Sequence, residues 1–511
     1  MRLTAVTACT LAALLNTVHA APTRPDSHEL LVETSSGKIN GFTDPSFPDV
    51  RQFLGIPFAK PATKELRFAP PQRFMSHDMF NASKTPHACP QFQTTAPTIW
   101  SVSTPQFLNS APWSEDCLSL SVWAPKMNST QEKLPVFIWI HGGGLQSGSS
   151  SVPYQQPPPW IQRSKSHIVV ALQYRLNIFG FPNAAGLNQT NLGLMDQRMG
   201  IEWVRDNIAS FGGDRDNMIL WGQSSGAAST DAQNFAFPQD PIVKGFIQDS
   251  GSALIPVGQA LVTEDPTHSN FTFVAEHVGC KSSSPSDQLS CMRALPAQTI
   301  VDFMANYTNA GTAPPLNFIG TPDDRWVFAD YAARYARGQL SRAPAVYGSN
   351  AAEGNLAAPF PRDPQHEGPD AAVALAATLS GFQCPDAHSA GNRTAARNAD
   401  LKTYRYLYAG NFSDVSPLFW EGAYHAAELP QVFGTRGMFG RGEASEYEVK
   451  TSEAMQDLWL GFARNVARPE AAGWVEARTG GMLMLGASGG GPAVKVVNQT
   501  VVDEPCKQHG L

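Results

Sequence analysis

Charged residues are scarce in this sequence. Asp, Glu, Lys and Arg make up 16% of its 511 residues, against about 25% in an average soluble domain. The net charge is −7 and no basic run or stripe occurs, so nucleic acid is a poor candidate partner. There is neither a Cys-x-x-Cys pair nor a Cys/His cluster with metal-ligand spacing, which argues against a zinc site. Apolar residues, at 42%, are numerous enough for a large core, which excludes a disordered chain.

Long apolar runs are also missing. Beyond the N-terminus, no run reaches the roughly 18 uninterrupted apolar residues of a membrane-spanning helix, so no transmembrane segment is expected. Residues 1–20 have the pattern of a secretory signal, with Arg2 at the start, an apolar stretch, and a small-residue cleavage site at 18–20. A short buried N-terminal helix is the alternative. The signal predicts a secreted, extracellular protein with one domain over residues 21–511.

The cysteine count agrees with export. Cys9 leaves with the signal, and the remaining even number indicates disulfides in an oxidising compartment. These six are Cys89, Cys117, Cys280, Cys291, Cys384 and Cys506. Acceptor triplets for N-glycosylation begin at Asn81, Asn128, Asn188, Asn270, Asn306, Asn392, Asn411 and Asn498. So many triplets in a chain with a signal predict a secreted glycoprotein.

Short apolar segments alternate with helical ones. Buried strands are predicted at residues 133–140, 167–174, 218–221, 244–248 and 403–408. Between them, residues 196–208 carry apolar side chains at roughly helical spacing. Buried strands separated by helices predict an α/β fold with a mostly parallel sheet. The Pro-rich residues 155–160 and the stretch 355–383 are interpreted as surface excursions from this scaffold.

One motif predicts a nucleophile. Residues 222–226 read Gly-Gln-Ser-Ser-Gly, which fits Gly-x-Ser-x-Gly, and they lie between an apolar run and a helix-compatible segment. In that context a tight strand–turn–helix exposes Ser224 at the carboxyl edge of the sheet, and the flanking glycines let strand and helix approach closely. Such matches also arise by chance in a chain rich in glycine and serine, so a plain Ser-Gly turn is the alternative.

A second motif supplies what a serine nucleophile needs. His141-Gly142-Gly143-Gly144 ends an apolar run and matches the loop whose backbone N–H groups bind a developing oxyanion. The N–H groups of Gly143, Gly144 and Ser225 are the predicted oxyanion hole. A phosphate-binding loop or a simple glycine turn is the alternative, but no Lys-Ser/Thr pair follows to hold a phosphate.

These two motifs belong to a series of six. The other four are Leu54–Ala59, Glu115–Leu118, Asn191–Gln197 and Phe211–Asp214. In this order they resemble the type-B carboxylesterase/lipase family, the cholinesterase-like branch of the α/β-hydrolases. The resemblance spans nearly the whole mature chain. It implies an α/β-hydrolase fold, in which a central, mostly parallel sheet is flanked by helices in a single large domain.

The resemblance also implies the other catalytic residues. The family's acid lies in an Asn-x-x-Glu-Gly motif, here residues 350–354, and its histidine in a His-x-x-Glu-Leu/Ile motif, here residues 425–429. Ser224, Glu353 and His425 are therefore the predicted triad. Nucleophile, acid and histidine then follow the chain order that α/β-hydrolases share.

Supporting features come from the same resemblance. Ser250 stands where family members keep a serine that hydrogen-bonds within the triad; a serine in a turn after a strand is the alternative. The family's two loop disulfides correspond to Cys89–Cys117 and Cys280–Cys291. Cys384 and Cys506 are then left as a third pair.

The sequence departs from the family pattern in two places that bear on substrate. Gln223 precedes the nucleophile where many members carry Glu, so we expect a preference for neutral esters and weak turnover of choline esters. Aromatic faces such as Trp100 or Trp113 could still hold a cation. The 72 residues from Glu353 to His425 are fewer than expected, which puts the family's substrate pocket in doubt.

The predicted activity is hydrolysis of a small-molecule ester through an acyl-enzyme, with no cofactor. Two alternatives remain at this stage. A non-catalytic binding protein is disfavoured because all three triad residues are present. An acyltransferase, which passes the acyl group to a small alcohol instead of water, would use the same residues and differ only in its product.

Overall fold

A sheet of eleven strands organises the part of the chain that the structure describes. The structure is a computed structural model, and it describes residues 29–127, 132–255, 265–396, 401–487 and 491–511. The predicted signal at residues 1–20 and the glycosylation triplet at Asn128 lie outside these ranges. The strands are β1 (Leu31–Thr34), β2 (Gly37–Asn40), β3 (Phe42–Thr43), β4 (Val50–Pro57), β5 (Met79–Asn81), β6 (Ser119–Pro125), β7 (Leu134–Ile140), β8 (Ile168–Leu172), β9 (Gly213–Gln223), β10 (Gly245–Asp249), β11 (Ala345–Asn350), β12 (Thr403–Tyr408), β13 (Gly481–Leu485) and β14 (Val494–Asn498).

Helices connect and flank these strands. They are α1 (Ile99–Val102), α2 (Pro158–Ser164), α3 (Asn177–Gly180), α4 (Leu192–Asn207), α5 (Ser225–Ala236), α6 (Ser269–His277), α7 (Pro285–Ala294), α8 (Ala297–Asn309), α9 (Tyr331–Arg337), α10 (Ala371–Thr378), α11 (Cys384–Ala395), α12 (Leu429–Phe433), α13 (Glu446–Arg464) and α14 (Thr500–Gln508). A π-helical turn, Leu379–Gln383, joins α10 to α11. Among the described residues, no helix is long and apolar enough to cross a membrane.

The large sheet is mostly parallel. Its strand order is β14-β13-β12-β11-β10-β9-β7-β8-β6-β4-β3. All neighbouring strands from β13 to β8 in this order pair in parallel. The pairs at the two edges, which are β14 with β13, β8 with β6, β6 with β4, and β4 with β3, are antiparallel. A separate three-stranded sheet contains β1, β2 and β5. The predicted α/β fold with a mostly parallel sheet is confirmed.

Both faces of the central strands are buried. On β7, Ile138 contributes to one hydrophobic cluster while its neighbours Phe137 and Trp139 contribute to another. On β9, Leu220 and Trp221 divide between the same two clusters. Because successive side chains of a strand point to opposite faces, a strand covered on both sides needs a continuous apolar run. This is why the sequence pattern found these strands.

Two segments predicted to be surface excursions are better integrated than expected. Within residues 155–160, Gln155 and Trp160 are buried, and α2 begins at Pro158. The stretch 355–383 contains α10 and the π-helical turn, whose Leu379 and Gln383 are buried. The prediction of surface excursions was therefore wrong for the parts of these Pro-rich and Ala-rich segments that form helical turns and pack against the core.

The structure contains the two disulfides that the family resemblance implied and the third pair that was left by elimination. Cys89–Cys117 closes a loop of 28 residues and Cys280–Cys291 a loop of 11. The third bond, Cys384–Cys506, joins the start of α11 to α14 across 122 residues. The predicted pairing is thus confirmed in full.

Candidate active site

The predicted functional residues meet at one edge of the sheet. β7 and β9 pair in register, with Ile140 opposite Gly222, and Gln223 at the end of β9 lies opposite Asp249 of β10. Parallel strands bring their carboxyl ends to the same edge, so the glycine loop after β7 and the turn at Ser224 become neighbours. Glu353 follows the end of β11 in the adjacent part of the sheet.

Ser224 occupies a strained turn between β9 and α5. Its φ of 58° and ψ of −126° lie outside the regions that L-residues ordinarily adopt. The flanking glycines are required by close packing: a Cβ at Gly222 would lie 2.3 Å from the carbonyl oxygen of Gly226, and one at Gly226 would lie 2.1 Å from that of Ile140. This is the geometry that the Gly-x-Ser-x-Gly motif predicts for an exposed nucleophile.

Glu353 and His425 form a buried pair. Nδ1 of His425 lies 2.6 Å from Oε2 of Glu353, and the other carboxylate oxygen accepts a hydrogen bond of 2.6 Å from the backbone N–H of Asn350. Glu353 is fully buried. Because the carboxylate can only accept, Nδ1 of His425 carries the proton and Nε2 presents a lone pair.

Other carboxyl groups are buried near Glu353. Burial raises the pKa of Asp249 to about 7, although hydrogen bonds from Trp221 and Tyr406 oppose this shift. Burial also raises the pKa of Glu428, and the charge of Glu353 acts in the same direction. These neighbours are therefore held closer to the neutral form than carboxyl groups in water.

Nε2 of His425 contacts Gln223. The two nitrogens, Nε2 of His425 and Nε2 of Gln223, lie 3.0 Å apart, so the amide donates to the imidazole lone pair. Within the described residues, no hydrogen bond between Ser224 Oγ and His425 is recorded. Gln223, which the sequence analysis singled out because it lacks the charge of a glutamate, thus makes a direct contact with the histidine, 202 positions away.

The backbone of the glycine loop adopts conformations that glycine tolerates best. Gly143 and Gly144 have φ of 115° and 64°, values that favour glycine, and a Cβ at Gly143 would lie 2.1 Å from the carbonyl oxygen of Ser147. In the described part of the chain, no acceptor is recorded for the backbone N–H groups of Gly143, Gly144 and Ser225. These are the three donors predicted from the sequence.

A hydrogen-bond network fixes this loop. The backbone N–H of Leu145 donates to Oγ of Ser225 at 3.1 Å, and the carbonyl of Leu145 accepts from the N–H of Asn177 at 2.7 Å. The hydroxyl of Tyr174 donates to the carbonyl of His141 at 2.7 Å. Burial lowers the pKa of His141 to about 4, so this histidine is a neutral structural residue at physiological pH. The side chain of Ser225 had no assigned role in the sequence analysis.

Two predicted residues differ from expectation. Ser250 follows β10 at φ 55°, but its Oγ is buried and makes no hydrogen bond, so the expected link to the triad is not formed. Trp113 packs beside the hydrophobic cluster that contains Phe179 and does not line the cavity described below, whereas Trp100 does. Both differences depend on side-chain directions that motif spacing does not determine.

A cavity of about 470 Å³ opens beside these groups. Gln223 and Gly143 form part of its wall, and the aromatic side chains of Phe92, Trp100, Phe107 and Tyr154 also line it. Three of these rings are nearly parallel, with Phe107 6.0 Å from Trp100 and 4.4 Å from Tyr154. Among the described residues, those that line this cavity include no Asp, Glu, Lys or Arg; its polar members are amides, hydroxyls and His141.

The predicted glycosylation sites are mostly accessible. Of the triplets in the described residues, five begin at exposed asparagines: Asn81, Asn188, Asn306, Asn411 and Asn498. Asn270 and Asn392 are half-buried. A glycan can therefore be attached at the five exposed asparagines, and glycosylation at these positions remains a prediction.

A mostly parallel sheet with a strained serine turn, a glycine loop and a buried Glu–His pair at its carboxyl edge is the architecture of an α/β-hydrolase. The model of the carboxylesterase family matches residues 28–375. The chain belongs to this family, and it is a serine carboxylic ester hydrolase.

Three relatives illustrate the range of the family. The chain is 42% identical to chlorogenic acid esterase of Aspergillus niger over 469 residues, which cover 90% of this chain and 88% of the relative. It is 39% identical to secreted lipase 5 of Gibberella zeae over 499 residues, or 92% of each protein. It is 34% identical to acetylcholinesterase of Electrophorus electricus over 287 residues, or 54% of this chain and 43% of that enzyme.

Proposed function

We propose that this protein is a secreted enzyme that hydrolyses neutral carboxylic esters through an acyl-enzyme on Ser224. The observation that carries the proposal is the buried contact of 2.6 Å between Glu353 and His425. It is supported by the position of Ser224 and the glycine loop, which follow neighbouring strands at the same edge of the sheet. A serine hydroxyl is a weak nucleophile, and it needs a base, an orienting acid and donors for the oxyanion.

Each residue has one role in the proposed reaction. Ser224 Oγ attacks the carbonyl carbon while Nε2 of His425 takes its proton. Glu353 holds the proton on Nδ1 and stabilises the imidazolium. For this step the Ser224 hydroxyl must replace the Gln223 amide on Nε2, because the lone pair can accept only one of them.

The oxyanion is bound by the N–H groups of Gly143, Gly144 and Ser225. Collapse of the tetrahedral intermediate releases the alcohol, which takes the proton from His425. Water then attacks the acyl-enzyme with the same histidine as base, and a second collapse releases the acid and restores Ser224. No cofactor takes part in this sequence.

The cavity supports a neutral substrate with a planar group. Its described lining lacks ionised side chains, so a cation there would meet the amide dipole of Gln223 and aromatic faces but no carboxylate. The half-buried rings of Trp100 and Phe92 offer apolar surface to a flat acyl or alcohol group. Because one relative is named chlorogenic acid esterase, an aromatic ester should be included among the first substrates tested.

A substrate panel tests the proposal. p-Nitrophenyl esters from acetate to palmitate, a hydroxycinnamate ester and a triacylglycerol would be compared by kcat/KM, with product analysis in the presence of a small alcohol to detect acyl transfer. We expect hydrolysis of uncharged esters, with the acid as the main product. A predominant transfer product would make the enzyme an acyltransferase, and loss of activity on every neutral ester would contradict the proposal.

Export is part of the same proposal. The signal pattern at residues 1–20, the three disulfides and the exposed acceptor asparagines support it. N-terminal sequencing of the protein purified from culture medium should find a new N-terminus at Ala21. Retention of the protein inside the cell with residues 1–20 uncleaved would contradict it.

A further inference from the structure

The helical stretch after Glu353 contains a π-helical turn. In the turn Leu379–Gln383, the backbone N–H of Cys384 donates to the carbonyl of Leu379, five residues earlier. Pro385 follows, and a proline has no N–H and clashes with the carbonyl four positions before it, so regular α-helical bonding cannot continue here. Such π-turns inside helices are frequent at functional sites.

This turn is anchored on both sides. Before it, Thr378 Oγ1 accepts a hydrogen bond of 2.9 Å from the N–H of Gly354, next to the acid. Within it, Gln383 donates to the carbonyl of Asn350 at 2.8 Å. Immediately after it, Cys384 is tied to α14 through the Cys384–Cys506 bond. The turn is therefore fixed relative to the residues that orient Glu353.

The turn presents one side chain to the histidine. The ring centroid of Phe382 lies 4.3 Å from that of His425, with 37° between the planes. Trp100 is a second aromatic neighbour, at 6.3 Å. Among the described residues, the imidazole also makes hydrogen bonds through its two nitrogens, with Glu353 on Nδ1 and Gln223 on Nε2.

The ring contact matters most during the reaction. While Ser224 replaces Gln223 on Nε2, the imidazole is held by the hydrogen bond between Nδ1 and Glu353 alone, and it can rotate about that bond. An aromatic face packed against it restricts this rotation. The same face is attracted to the cation that forms when His425 takes the proton.

We propose that Phe382 is a positioning residue, held by the π-turn, that keeps His425 aligned for proton transfer. This inference rests on the proposed triad. It explains how the short segment between Glu353 and His425 contributes to catalysis although none of its residues is predicted to touch the reacting atoms.

Substitution of Phe382 tests the proposal. In Phe382→Ala we expect kcat to fall by about ten- to hundredfold, because small misalignments of a catalytic group have effects of this order, while KM changes less than twofold. Phe382→Tyr should retain most of the kcat of the unmodified enzyme. Phe382→Leu should have an intermediate kcat, because leucine fills the space without providing an aromatic face. The rate at which diethyl p-nitrophenyl phosphate inactivates Ser224 should fall in parallel with kcat.

Phe360→Ala is the matched control. Phe360 is a half-buried residue of the same segment and packs on Trp420, 5.6 Å away, instead of on His425. Its loss should leave kcat within twofold. If Phe382→Ala does not fold, the Tyr and Leu variants decide the question.

An effect on KM alone would show that Phe382 is a wall of the substrate pocket, and an unchanged kcat would show that the contact is incidental; either result overturns the proposal. Activity that survives Ser224→Ala would instead refute the triad. The two failures are thus distinguishable.

Discussion

The hydroxyl of Ser225 offers a sharp test of the oxyanion hole. In Ser225→Ala the predicted backbone donor remains, but the N–H of Leu145 loses its acceptor at 3.1 Å. Leu145 is fully buried and Ser225 is 1% exposed, so water cannot replace the lost partner. Leaving a buried N–H unpaired costs about 1–3 kcal/mol, which corresponds to a factor of about 5 to 150.

How that cost divides between stability and rate depends on the loop. Leu145 directly follows Gly144, so a loop released at Leu145 shifts a neighbouring oxyanion donor. Donors act on the charged oxygen of the transition state more than on the neutral carbonyl of the substrate. We therefore expect kcat to fall about tenfold while KM stays within twofold.

The assay compares two ligands of the same site. Steady-state kinetics on p-nitrophenyl butyrate give kcat and KM, and a trifluoromethyl ketone of similar size, which forms a tetrahedral adduct, reports the oxyanion hole by its inhibition constant. Both kcat and ketone affinity should fall together in Ser225→Ala.

Ser229→Ala is the matched hydroxyl deletion. Ser229 lies one turn further along α5, where its Oγ donates to the carbonyl of Ser225 at 2.8 Å without touching the glycine loop. We expect a loss of stability without a loss of ketone affinity. If Ser225→Ala changed kcat no more than Ser229→Ala, the hydroxyl would have no part in holding the oxyanion loop.

Four other predictions follow from the structure. Ser224→Ala should lower kcat by about 10⁴-fold or more without changing Tm; residual activity above a tenth would contradict the triad. Gln223→Glu should raise kcat/KM for butyrylcholine relative to an uncharged butyrate ester, since a carboxylate near a quaternary ammonium is worth on the order of a few kcal/mol; equal turnover of the two esters by the unmodified enzyme would refute the neutral-ester preference. Because the pKa of Asp249 is raised from 3.8 to about 7, this carboxyl stabilises the fold when protonated, and that contribution is lost as pH rises from about 4 to 7. Tm should consequently be lower at pH 8 than at pH 5, with a smaller difference in Asp249→Asn; a higher Tm at pH 8 that the substitution leaves unchanged would contradict this sign. Denatured secreted protein should contain almost no free thiol, and an endoglycosidase should lower its apparent mass; several free thiols or an unchanged mass would count against export.

Much of the fold was predictable because its central strands are buried on both faces. β7, β8, β10 and β12 lie within one or two residues of their predicted bounds. β9 is longer than the predicted 218–221, since its first residues, 213–217, are mostly polar or charged. Of these, Gly213 pairs with Leu134, and regular pairing with β7 resumes at Met218. An apolar run marks the buried part of a strand, and its exposed end has no comparable pattern.

The candidate site also has one part that could be predicted from local sequence and another part that could not. Ser224 and the glycine loop are local motifs, whereas Glu353 and His425 required the family resemblance because no local pattern distinguishes one histidine from another. The contacts of Gln223 and Phe382 with His425 link positions 202 and 43 residues apart. Neither contact has a sequence signal, because each depends on a side-chain direction set by the packed fold.

Backbone strain provides a further link between local structure and the site. Ser224, Leu145, Ser250 and Ala426 all have φ between 55° and 76°, a region that costs a non-glycine residue about 1–3 kcal/mol. Two of them directly follow strands β9 and β10, one follows the glycine loop, and one follows His425. Each is held by backbone bonds from its surroundings, as when the N–H of Ser224 donates to Asp249 at 2.8 Å and that of Ser250 donates to Gly348 at 2.6 Å. Local preference would place none of these residues in this conformation, so their surroundings in the packed fold impose it. Since the strained positions adjoin the predicted nucleophile, oxyanion donors and base, we expect the stability of the fold to hold these predicted catalytic groups in place.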